Sequence, residues 1–163
     1  MMDLRRRIMM QRNPNILYEA RNLSFNGVDE YIDTGVYLFT QENINRDFEF
    51  IAEGIASNVY KSNDTIICAK HNGNAYGFLV RFYASSDIKY NGTIYIYPSP
   101  GSIVIRRING VITLNGTNIK NQGVQFTNAV FNWPLVLGCA IDDNGKPYRY
   151  KKGTIDHVCV RWL

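Results

Sequence analysis

Three acids share one short stretch of this chain. Asp47, Glu49 and Glu53 alternate with Phe48, Phe50 and Ala52, so an extended backbone would set the acids on one face and the apolar residues on the other. Paired carboxyl groups are the tools of glycoside hydrolysis, which needs two of them about 5–5.5 Å apart for retention, or wider for inversion. Here the order and spacing of the three acids do not match a hydrolytic pattern, and no tryptophan-rich flank suggests a cleft. The stretch therefore reads as the solvated face of a strand, and no residue is assigned to catalysis. The only histidines are His71 and His157, and neither has Cys, His, Asp or Glu neighbours at a metal-ligand spacing. His157 follows Asp156 and points opposite to Val158, as a surface histidine would. Asp142-Asp143-Asn144 offers oxygen ligands in one loop, but calcium takes six to eight, and D-D-N-G is the composition of a turn. No metal and no cofactor are expected. Tyr90, Tyr95, Tyr97, Tyr148 and Tyr150 are candidates for an aromatic platform of the kind that binds glycan, which also needs polar neighbours. Arg5, Arg6, Arg7 and Arg12, against the single acid Asp3, make a basic cluster. It is too small, and too poor in aromatics, for sequence-specific recognition of nucleic acid.

The elements that would carry these residues are strands. Six Asn-Gly pairs punctuate the chain, and both residue types tolerate the positive φ of a type I′ hairpin turn. The clearest case is the run Ile103 to Leu114, where a two-residue loop at Asn109-Gly110 would pair Ile108 with Val111 and Ile105 with Leu114. Tyr76 to Ala84 is almost continuously apolar, as in a central strand. Ile94 and Ile96 alternate with Tyr95 and Tyr97. Leu135 to Ile141 reads as one apolar strand running into the turn Asp142 to Gly145. The last strand sets Val158, Val160 and Trp162 on one face, beside the strand that holds Leu23 and Phe25. No stretch after residue 15 keeps a 3.6-residue period. The fold class is therefore all-β, an antiparallel two-sheet sandwich whose first and last strands lie side by side and leave few open edges.

Composition agrees. The 163 residues are 45% hydrophobic, with 11 Tyr and 8 Phe, which is enough for one domain with a real core. The three cysteines, Cys68, Cys139 and Cys159, fall in apolar runs and read as buried free thiols made in a reducing compartment. No apolar run reaches membrane-spanning length, so no membrane insertion is expected. Of the formal net charge of +4, +3 belongs to residues 1–12. Asn13-Pro14-Asn15 then breaks any helix. The chain divides into a basic N-terminal docking arm, 1–17, and a sandwich domain, 18–163.

Two segments carry a family resemblance. FNGVDEYIDTG, Phe25 to Gly35, and GTIDHVCVRW, Gly153 to Trp162, resemble the opening and the close of the laminin-G-like branch of the concanavalin A-like lectin/glucanase superfamily. The resemblance covers residues 23–163 and implies a jelly roll. It does not choose among lectins, glycanases, adhesion modules and virion proteins, because a fold does not select a function. The arm followed by the Y-I-D-T-G segment resembles small laminin-G-like proteins of tailed bacteriophages. That layout implies a non-enzymatic virion structural protein, such as a head decoration, fibre-base or tail-appendage component, made in the bacterial cytoplasm. Its implied partners are other virion proteins, as a homo-oligomer or in multiple copies. A carbohydrate-binding receptor-recognition module, partnered with a cell-surface glycan, is the alternative, and a glycanase the third reading.

Overall fold

The two ends of the chain pair with each other. The computed structural model describes residues 13–56, 64–71, 77–82, 92–96, 101–122 and 130–163. Among these, the strands are β1 (Ile16–Asn26), β2 (Ile32–Asp33), β3 (Phe48–Glu53), β4 (Thr65–His71), β5 (Gly77–Phe82), β6 (Thr93–Ile96), β7 (Ser102–Ile108), β8 (Val111–Leu114), β9 (Thr117–Asn118), β10 (Val136–Leu137), β11 (Ala140–Ile141), β12 (Pro147–Tyr148) and β13 (Lys152–Trp162), with one short 3-10 turn at Ile119–Gln122. One sheet runs β1-β13-β3-β7-β8-β9 and a second runs β2-β10-β4-β5-β6, while β11 and β12 form a separate hairpin. The all-β two-sheet sandwich expected from the sequence is the observed architecture. Its pairs are antiparallel except β5 with β6, which run parallel.

Alternation explains the core. Phe48, Phe50 and Ala52 of β3, Ile103 and Ile105 of β7, and Val158 and Val160 of β13 are fully buried. They pack in one cluster with Ile66, Phe78, Val80, Ile94, Ile96 and Leu137 of the second sheet. Phe39, Phe48, Phe78 and Phe131 meet inside it, with ring centroids 4.8–6.3 Å apart. Arg107 is the one arginine turned into this core from β7. Its guanidinium lies 4.8 Å from the Phe48 ring and donates to the carbonyls of Leu38, Asn43 and Arg46, which fixes the loop between β2 and β3. Burial lowers its pKa to about 10, still charged at neutral pH.

The hairpin at Asn109-Gly110 forms in the expected register, Ile108 with Val111 and Ile105 with Leu114, and both turn residues have positive φ. A second structural device is a kink across three strands. Asn22 and Gly54 have φ of 56° and 62° and flank Asp156, the residue opposite both in the β1–β13–β3 register. The kink reverses which alternate residues face inward. Val158 and Val160 point into the core on one side of it and Ile155 on the other, and on β1 Leu23 and Phe25 turn inward beyond it.

Four expectations need correction. Leu135 to Ile141 is not one strand: Gly138, at φ 83°, breaks it into β10 and β11, and a Cβ there would overlap the Phe25 ring. The β6 strand is buried along its whole length, so Tyr95, a platform candidate, lies inside the protein. Trp162 is half-buried, because it ends β13 at the rim of the core, where the Arg46 guanidinium lies 4.0 Å above its ring. The domain begins at Ile16, two residues inside the segment assigned to the arm, and Leu17 packs on the core.

Candidate functional site

The expected solvated face holds only in part: Glu53 is exposed and Asp47 half-buried, but Glu49 is buried. Cross-strand register places Arg161 of β13 and Arg106 of β7 on either side of Glu49. Arg161 Nε donates to Oε1 at 2.7 Å and Arg106 Nε to Oε2 at 2.5 Å. The two long side chains cover the carboxylate and leave Glu49 only 1% exposed. Burial alone would raise its pKa, but the two guanidiniums outweigh it and hold the carboxyl below its usual range. Such a group is a poor proton donor. Asp47 is occupied too, accepting the Asn109 amide at 2.9 Å. Glu53 lies two pleats from Glu49, about 13 Å along the strand, beyond the separation of a hydrolytic pair.

Glu53 belongs to a different group. His157 sits between two strands, its Nδ1 2.7 Å from Glu53 of β3 and its Nε2 2.8 Å from Glu19 of β1. It faces opposite to Val158, as expected, but it is a bridge across three strands and not a free surface histidine. A neutral imidazole has one N–H, so two carboxylate contacts call for one further proton, on the ring or on a carboxyl. Sequence reasoning missed this bridge because its partners lie far away in the chain.

The tyrosine candidates separate. Tyr90 and Tyr97 lie outside the described residues. Tyr95 is 1% exposed and is no platform: parallel pairing sets it beside Arg81, whose guanidinium lies 5.3 Å from its ring. Tyr148 and Tyr150 are half-buried and are brought together, with Trp133, on a second apolar cluster of Cys68, Leu79, Val136, Cys139, Ala140 and Ile141. This cluster forms where the β11–β12 hairpin covers the second sheet. Burial pushes the Tyr150 hydroxyl pKa up, with Cys139, Tyr31 and Asp29 adding to the rise. Tyr31 is exposed, and Tyr31 and Asp29 lie near enough to Tyr150 to act on its hydroxyl, two residues before β13 begins. Tyr31, Asp29 and Trp133 escaped the sequence reading, although Tyr31 stands inside the segment that carried the family resemblance.

Other reactive groups are accounted for. Cys68, Cys139 and Cys159 are free and buried, as expected, and burial pushes the thiols of Cys68 and Cys139 up to about 12. Lys151 is fully buried, with its pKa lowered by burial; its Nζ donates to the Ala56 carbonyl at 3.0 Å and lies 3.8 Å from Asp64. Those contacts tie the start of β13 to both sides of the β3–β4 connection. Asp142 accepts the amides of Asn144 and Lys146, as a turn residue does, and among the described residues no group of His, Cys, Asp and Glu is placed to hold a metal ion. The arm residues Arg5, Arg6, Arg7 and Arg12 lie outside the described residues. No protein-family model, curated protein or solved structure matches the chain.

Proposed function

We propose that this chain is a non-enzymatic structural protein of a tailed-bacteriophage virion, attached through its N-terminal arm and presenting the sandwich outward. One observation carries the reading: the molecule has two chemically different ends. Residues 13–15 lead into β1 beside the end of β13, with the Trp162 amide donating to the Asn15 carbonyl at 2.9 Å. The segment before Asn13, with four arginines against one acid, therefore joins the domain at that end. Tyr150, Tyr31 and Asp29 lie by the opposite end of the same strand. Eleven residues of β13 separate the two ends by about 30 Å. That layout supports attachment at one end and contact at the other. The engagement of Asp47, Glu49 and Glu53 with an amide, two arginines and a histidine supports a non-enzymatic role.

The test is incorporation into particles. Deleting residues 1–12 is expected to leave the melting temperature unchanged and to remove the protein from purified particles. Particles that carry the truncated chain at parental copy number would refute the attachment. A second reading, glycan recognition, is favoured by the nearness of Tyr31 and Asp29 to Tyr150. A glycan array binding the parent, with binding lost in Tyr31→Ala and Tyr150→Ala, would establish it.

A further inference from the structure

The attachment end carries more than the arm. Three of the exposed large apolar side chains, Ile108, Val111 and Leu163, lie in one row at that end, at 46, 45 and 54% exposure. The Leu163 amide donates to the Asp47 carbonyl, the Asn109 amide donates to the Asp47 carboxylate, and Ile108 pairs with Val111. The row is therefore continuous across β13, β3, β7 and β8. Each of Leu163, Asp47 and Ile108 stands two residues from a member of the next row, Arg161, Glu49 and Arg106, and so shares its face, the side away from the core. In that second row Glu49 is buried, while Arg106 and Arg161 remain 47 and 41% exposed. Glu49 engages Arg106 through Nε and Arg161 through Nε and one terminal nitrogen. The buried carboxylate thus holds two guanidiniums in place while both side chains stay partly exposed. The charges of this row that reach solvent are the guanidiniums of Arg106 and Arg161, since Glu49 between them is buried.

Building on the attachment reading, we propose that this face is a second docking surface, and that its occupant is a protein segment presenting a carboxylate beside apolar side chains. The carboxylate would be taken by the exposed faces of Arg106 and Arg161, whose planar guanidiniums suit it. The apolar side chains would cover Ile108, Val111 and Leu163. A nucleic acid would use the arginines and leave the apolar row uncovered, so charge and apolarity together favour an acidic protein segment. The arm tethers the domain and this face fixes its orientation.

The experiment compares copies per purified particle, by quantitative mass spectrometry, for the parent, the 1–12 deletion and three surface variants whose melting temperatures match the parent. Ile108→Glu/Val111→Glu is expected to lower copy number roughly tenfold or more, since it sets like charge against the partner's acid. Ile108→Lys/Val111→Lys keeps the favourable sign and is expected to fall by only about threefold or less. Leu163→Glu, on a different strand, should follow the glutamate pair. If all three variants match the parent while the deletion is lost from particles, this surface is wrong and the attachment reading stands. If the deletion is retained, the attachment reading itself fails, and this inference with it. Equal losses in the glutamate and lysine pairs would overturn the acidic partner.

Discussion

Glu49 shows how a surface position can become an interior one. Two arginines from neighbouring strands cover it, and its carboxyl is held below the ordinary range by Arg106 and Arg161 against the opposing effect of burial. A carboxyl lowered on folding contributes stability above its unfolded pKa, about 4.3, and that contribution is lost as pH falls through the lower folded value. The Glu49→Gln variant is accordingly expected to be less stable than the parent by about 1–2 kcal/mol at pH 7, the low end for a charge-assisted pair, because the arginines are partly exposed and screened. Urea unfolding between pH 7 and pH 2 should show that deficit shrinking towards zero in acid. A deficit independent of pH would count against the ion-pair account. Gly54 is the other position where one residue decides. Its φ of 62° disfavours any side chain by about 1–2 kcal/mol, and a Cβ would overlap Asp156. Gly54→Ala should cost about 2–4 kcal/mol in all, and adding Asp156→Gly, which removes the Cβ that Asp156→Ala would leave 2.6 Å away, should recover the overlap but not the backbone strain at position 54.

At the scale of elements, what the sequence makes legible is what is local. Asn109-Gly110 places two residues that tolerate positive φ between alternating strands, so turn, register and pairing follow from twelve contiguous residues. The alternation of β3 likewise predicts Phe48, Phe50 and Ala52 inside. The misses all depend on partners far along the chain. Glu49 is covered by arginines 57 and 112 residues away. Tyr95 is buried beside Arg81 by a parallel pairing that no local pattern encodes. The break at Gly138 was invisible because the Phe25 ring that requires a glycine there belongs to β1. Arg107 is similar, since a charged residue in an alternating strand gives no sign that it will satisfy three loop carbonyls. Arg107→Met keeps much of the bulk and loses those bonds. It is expected to cost about 2–4 kcal/mol and to speed hydrogen exchange selectively at the amides of Asn43, Ile44 and Arg46. Uniform acceleration across the sheet would show instead that the residue supports the core as a whole. Trp162→Ala, at the rim, should cost about 2–3 kcal/mol by thermal melting, less than truncation of a fully buried aromatic.

For the whole molecule, the separation of a basic, partly apolar end from an aromatic, acidic one is what makes an attached and outward-facing role physically coherent. Exchanging the ends is impossible without reversing β13, so orientation on a particle would be inherited from the fold. If the arm end attaches, labelling of intact particles with a tyrosine-modifying reagent should reach Tyr31, and a reagent for exposed arginines should spare Arg106 and Arg161; the reverse pattern would turn the molecule around. The pairing of β1 with β13 has one more consequence, in time rather than space. The strand flanked by β1 and β3 is synthesised after every other strand of its sheet, and about 125 residues separate the end of β1 from the start of β13. At roughly 5–20 residues per second, β1 and β3 wait on the order of ten seconds for their shared neighbour. The six-stranded sheet therefore cannot close before β13 has been made. A ribosome-stalled chain ending near residue 150 is expected to be protease-sensitive throughout β1, and release of the final strand should protect the whole sheet in one cooperative step.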